Sequence, residues 1–225
     1  MREIAIAAGL LSAVALPASA ETRNATGFET VKASGDFEVE IAVGENYRVD
    51  VSGADAARIR TRVVDGELRI EPARRSWFGE PRYDARISVT LPRFEGVAAA
   101  RGASVRATAG GECADFSAVA AMGAELEVNG LQCDSVNATA AMGAELRLAG
   151  ECGTLDASAA MGAELNARAL QCRTVDASAA MGAEVAAYAS ASYDASAAMG
   201  GDISVAGGGT GDRSTALGGA VTQQR

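Results

Sequence analysis

The sequence predicts an all-β chain that winds into a parallel β-helix, a solenoid of about seven short rungs, preceded by β-strands and a hairpin that continue or cap it. Three observations carry this. One phrase returns five times: AAMGAEL at Ala120–Leu126, Ala140–Leu146 and Ala159–Leu165, AAMGAEV at Ala179–Val185, and AAMGGDI at Ala197–Ile203. With a worn copy at each end, the recurring glycines are Gly102, Gly123, Gly143, Gly162, Gly182, Gly200 and Gly218, with gaps of 21, 20, 19, 20, 18 and 18 residues. Near-identical middle copies between degenerate ends are the mark of a capped solenoid. Within each copy, apolar residues fall at odd positions from the glycine and polar ones at even positions, the period of strands with one face inside.

Each part of the chain has its own justification. Residues 1–20 read as a secretory signal: a charged start, an apolar run from Ile4 to Leu16, and Ala18-Ser19-Ala20 as the cleavage site. That run is too short to span a bilayer, and no later segment is long and apolar enough to do so. The expected location is therefore the periplasm, the cell surface or the exterior. Residues 21–98 read as the N-terminal β portion of a single domain. FEVEIAV at Phe37–Val43 and YRVDV at Tyr47–Val51 alternate in polarity, TRVVDGELRI at Thr61–Ile70 is a hairpin with Asp65-Gly66 at its tip, and ARISVTL at Ala85–Leu91 is a further strand. Residues 99–225 form the repeat portion. There, Phe116, Val136, Leu155, Val175 and Tyr193 share one odd position, Ala fills the next two, and Leu126, Leu146, Leu165, Val185 and Ile203 share another. Small alanines suit a narrow rung, and glycine permits a bend between its strands.

Stacking turns each position into a column of like residues about 4.8 Å apart. Cys113, Cys133, Cys152 and Cys172 each precede their glycine by ten residues. At that spacing neighbours can bridge, and all four pair only as Cys113 with Cys133 and Cys152 with Cys172. A thiolate metal site is the other use of four cysteines, although it wants convergent ligands. Glu125, Glu145, Glu164, Glu184 and Asp202 form an outward acidic column. It reads as a solvated face that keeps the stack soluble, or as a calcium site if the oxygens can wrap the ion. Met122, Met142, Met161, Met181 and Met199 fall by parity on the inside, as gap-filling core. A thioether copper site would require them to converge. Should the glycine break the parity, the methionines become an exposed stripe facing a partner.

Outside the columns, Arg74, Arg75, Trp77, Phe78, Arg82 and Tyr83 cluster in the loop Arg74–Asp84, a composition that favours contact with a protein or glycan. The same loop could instead fold over the open end of the solenoid. The net charge of −9 argues against nucleic acid as a partner. The chain contains no histidine, which removes the commonest general base and imidazole ligand.

These segments, in their order, resemble the GIN domain family, described as an autotransporter-adhesin head domain. The likeness rests on FETVKASGDFEVEIAVGENYRVDVSGAD at Phe28–Asp55, VVDGELRIEP at Val63–Pro72, and ISVTLPRFEGVAAARGASV at Ile87–Val105 leading into the repeats. The family's Ser-Gly-Ser-Gly-acid-aliphatic phrase becomes Ala-Met-Gly-Ala-Glu-Leu here, as at Ala121–Leu126. The resemblance implies a bacterial, exported, right-handed β-helix. The expectation from the sequence is thus an exported, non-enzymatic structural, adhesion or interaction module of the cell envelope, without a cofactor, whose partner is an envelope protein or glycan. A polysaccharide-active β-helix enzyme and a periplasmic divalent-cation-binding protein are the alternatives.

Overall fold

The computed structural model describes residues 20–74 and 81–224. The expected signal segment, apart from Ala20, and Arg75, Trp77 and Phe78 lie outside the described residues. The N-terminal portion holds β1 (Glu21–Arg23), β2 (Thr30–Ser34), β3 (Glu38–Val43), β4 (Arg48–Ser52), β5 (Ile59–Val64), β6 (Glu67–Pro72), β7 (Arg86–Leu91), β8 (Gly96–Ala100) and β9 (Ser104–Thr108). The repeats supply β10 (Cys113–Ala121), β11 (Glu125–Ala141), β12 (Glu145–Ala160), β13 (Glu164–Ala180), β14 (Glu184–Ala198), β15 (Asp202–Ala206), β16 (Thr210–Ala216) and β17 (Ala220–Gln224). Strands are parallel from rung to rung, and the seven recurring glycines bound about six turns of solenoid, close to the seven rungs expected.

A repeat turn has three faces. In β11, Ser135–Ala141 lies on the first face. Its register on β12 runs Val136 to Leu155, Ala138 to Ala157 and Ala140 to Ala159. Glu125–Val128 lies on the second face, with Leu126 directly over Leu146. The register shifts between Val128 and Leu131, where the chain bends onto a short third face that carries Cys133 over Cys152. The interior is filled by the alanine columns of the first face against the Leu126, Leu146, Leu165, Val185 and Ile203 column of the second, all buried. Small against large lets the two faces approach and leaves little void.

The corner between the first and second faces is a two-residue turn. Met122 and Gly123 both have positive φ, 56° and 70°, and the Ala124 amide donates to the Ala121 carbonyl at 3.3 Å. Positive φ at both central positions is the type I′ pattern. A Cβ added at Gly123, Gly143, Gly162, Gly182 or Gly200 would meet nothing within 4 Å, so backbone conformation, and not space, calls for glycine there. The methionines take the same left-handed conformation at a cost of about 1–2 kcal/mol each. The ladder continues through the corner, the Gly123 amide donating to the Met142 carbonyl at 3.1 Å and the Gly143 amide to Met161 at 3.1 Å.

The N-terminal portion both continues and caps this stack. On the first face β2 lies between β6 and β8, and β8 pairs with β10; on the second face β3 lies between β7 and β9, and β9 pairs with β11. The chain therefore lays down β2 and β3, builds the rung beyond them, and crosses back. The predicted hairpin is β5–β6, with Asp65 and Gly66 both at positive φ. Its outer strand β5 and the antiparallel β4 and β1 cover the parallel edges of β6 and β7. Covering an edge removes a template for pairing with another chain. At the other end Arg213 lies over the buried Tyr193. Its Nε donates to Tyr193 Oη at 2.6 Å and its Nη2 to Gln223 Oε1 at 2.5 Å, a polar lid on the last turn.

Candidate functional site

The two disulfides join Cys113 to Cys133 and Cys152 to Cys172, each with Cα atoms 4.5 Å apart and a sequence separation of 20. They lie on the third face, where the cysteine column continues as Ala189. The thiolate metal alternative is closed by this pairing, since no free cysteine exists among the described residues.

Over this disulfide face runs an open groove of about 1050 Å³. One wall is a stacked column, Gln132 over Glu151 over Gln171 over Tyr188, and Glu112 extends it beside Cys113. Alternating amide and carboxylate separates the charges and offers donors and acceptors in turn. Asp134 and Arg173, which follow the cysteines in their rungs, add one charge of each sign. The groove follows the third face across the cysteine-bearing rungs. Parity alone gave no sign of it; the signal available in the sequence was the polar residue before each cysteine.

The methionine column is corrected by the structure. Met122, Met142, Met161, Met181 and Met199 are 43–50% exposed and stand on the outer corner, not in the core. Counting through the turn gives the right face for its flanks, because Ala120 and Ala124 are both buried. It fails at the methionine alone, because both central turn residues project from the corner. Arg101 and Leu217 occupy the same position in the terminal copies, at φ 58° and 50°.

The acidic column lies outward as expected, and its lower members are neutralised. Arg147 bridges to Glu125 at 3.5 Å and to Glu145, and the column continues below Glu125 through Ser104 and Glu38 to Arg86. Glu164, Glu184 and Asp202 have no arginine partner among the described residues. No grouping of three His, Cys, Asp or Glu side chains suited to a metal occurs among the described residues.

The loop residues that are described, Arg74, Arg82 and Tyr83, are separated. Arg74 is exposed, whereas Tyr83 is 5% exposed and packs in the core with the Arg58 guanidinium 5.0 Å from its ring centroid. Its amide donates to the Asp36 carbonyl at 2.9 Å, so Tyr83 is a structural anchor and not a contact residue. Arg82 lines a charged cleft of about 840 Å³ with Glu38, Asp55, Arg86, Arg106 and Glu125. There Arg86 donates to Glu38 at 2.7 and 3.0 Å, and those bonds together with its charge hold the Glu38 carboxyl below the usual range. Asp55 is likewise lowered, by hydrogen bonds from Arg58 and from the Asp84 amide.

The model of the family described as "Putative auto-transporter adhesin, head GIN domain" matches residues 27–209. The chain belongs to that family. The GIN-domain fold extends to solved structures of low identity. A "putative adhesin" from Bacteroides fragilis is 17% identical, with a TM-score of 0.79 over 91% of this chain and 95% of that one. A "Putative lipid binding protein" from Parabacteroides distasonis is 15% identical, with a TM-score of 0.68 over 93% and 97%. A "putative adhesin" from Parabacteroides merdae is 13% identical, with a TM-score of 0.67 over 93% and 97%. No curated protein matches the chain. Among the described residues, no helix of this GIN domain is long and apolar enough to cross a membrane.

Proposed function

We propose that this GIN-domain protein is an exported, non-enzymatic binding module of the bacterial cell envelope, working at the periplasmic or outer surface, and that its disulfide-floored groove holds an extended glycan or polypeptide. One observation carries the reading: the groove crosses successive turns whose wall repeats Gln132, Glu151, Gln171 and Tyr188 at rung spacing. Hydrogen-bonding groups repeated along a line match a ligand that repeats along its length. A reacting bond would instead call for groups converging on one point. An aromatic edge at one end and side-chain amides along the wall suit a sugar chain, and family membership supports an adhesive role. Cross-linking each pair of rungs beneath the groove keeps its floor rigid, which lowers the ordering cost of binding.

Affinity electrophoresis of the protein through gels containing neutral and acidic polysaccharides tests this. Retardation by at least one polymer, lost in Gln171→Ala/Tyr188→Ala, is the expected result. Retardation that survives those changes but is lost in Arg82→Ala would move the site to the charged cleft. Shortening of the polymer would replace the module with an enzyme.

A further inference from the structure

We propose that the methionine ridge binds soft monovalent cations, copper(I) or silver(I), each held between thioethers of neighbouring turns. The turn itself does not require methionine, since Arg101 and Leu217 adopt the same left-handed conformation in the terminal copies. The outward position four residues after the glycine reads Glu127, Arg147, Asn166, Ala186 and Ser204, different in every copy, while the methionine stays the same in all five.

The spacing fits the chemistry. Backbone hydrogen bonds of 3.1–3.2 Å tie each corner glycine to the methionine carbonyl of the next turn, from Gly123–Met142 to Gly182–Met199, so the methionines stack at rung spacing, about 4.8 Å. Two sulfur–metal bonds of about 2.3 Å in line span about 4.6 Å, so one ion fits between adjacent thioethers with the backbone unmoved. Half-exposed on a convex corner, these side chains have three rotatable bonds and can align two neighbouring thioethers on one ion without disturbing the core. Thioether ligands select copper(I) among the biological metals.

Two further features point to a cation. The acidic column begins three residues after each methionine, and Glu164, Glu184 and Asp202 leave its upper half uncompensated, which raises the local cation concentration. The chain has no histidine, and its four cysteines are paired in disulfides, so no other soft ligand competes among the described residues.

Calorimetric titration of the full chain with silver nitrate in chloride-free buffer tests the site, alongside competition for copper(I) against a chromophoric chelator. The expected result is uptake of about two ions per chain, two thioethers to an ion. Met142→Leu/Met161→Leu/Met181→Leu keeps the apolar bulk and loses the sulfur, and is expected to weaken uptake at least tenfold. Met ε-methyl NMR resonances of the unmodified chain should shift on addition of silver, which reads the site without any variant. Uptake by the triple variant equal to that of the parent, or methyl resonances unmoved at saturating silver, would overturn the proposal.

Discussion

Leu146→Ala and Met142→Ala, four residues apart in one turn, should differ in cost several-fold, because the first side chain points into the solenoid and the second out of it. Leu146 is fully buried and stacks between Leu126 and Leu165 in the second-face column. Truncation removes about three carbons, or roughly 2.4 kcal/mol of transfer free energy. The rungs above and below hold the walls apart, so a cavity term adds to this and brings the total to about 3–4 kcal/mol. Met142 is 45% exposed and keeps its left-handed backbone strain after truncation, so its loss should cost below about 1 kcal/mol. Urea unfolding followed by circular dichroism at the β-sheet minimum measures both. Equal costs for the two variants, or a Leu146→Ala cost under about 1 kcal/mol, would refute the placement of the corner.

Opening Cys152–Cys172 by Cys152→Ala/Cys172→Ala releases a loop of 20 residues, which on the chain-entropy model destabilises by about 3 kcal/mol, read as a lower urea midpoint. Arg213→Ala strips the polar lid from Tyr193 and leaves the last turn more open, so sedimentation should show more end-to-end association than in the parent chain. Stability should also fall with acid. Glu38 is lowered by Arg86, and Asp50 is lowered by hydrogen bonds from the Thr22 hydroxyl and Arg48. Both groups therefore contribute stability above their ordinary values of 4.5 and 3.8, where the unfolded chain begins to take up protons, and lose it as pH falls through their lower folded values. Glu38→Gln/Asp50→Asn should flatten the decline of the urea midpoint between pH 5 and pH 3, and an unchanged slope would contradict the assignment.

Repetition made most of the fold legible in the sequence. Once the glycines are aligned, the Leu126 and Ala138 columns, the outward carboxylates and the two cysteine pairs all follow from spacing, because each rung copies the one below. The Asp65-Gly66 hairpin was legible from its turn chemistry alone. Four features were not. The methionines face outward because a two-residue turn with both φ values positive suspends strand alternation at its tip, and alternation was the only guide to facing. The position of β2 and β3 between earlier and later rungs is a long-range crossing that no local pattern records. Tyr83 is anchored by the Asp36 carbonyl and Arg58, partners 47 and 25 residues away by sequence number, so it read as surface from its aromatic-basic neighbours when it is itself core. The groove over the disulfides is lined from several rungs at once, a property of the stack and not of any one repeat.

The central claim is that successive copies lie directly over one another, so that twenty residues of sequence become a single rung of height. Peptide mapping under non-reducing conditions tests it most directly. Digestion should yield Cys113 linked to Cys133 and Cys152 linked to Cys172, with no other pair. A Cys133–Cys152 or Cys113–Cys172 peptide as the major product would contradict it.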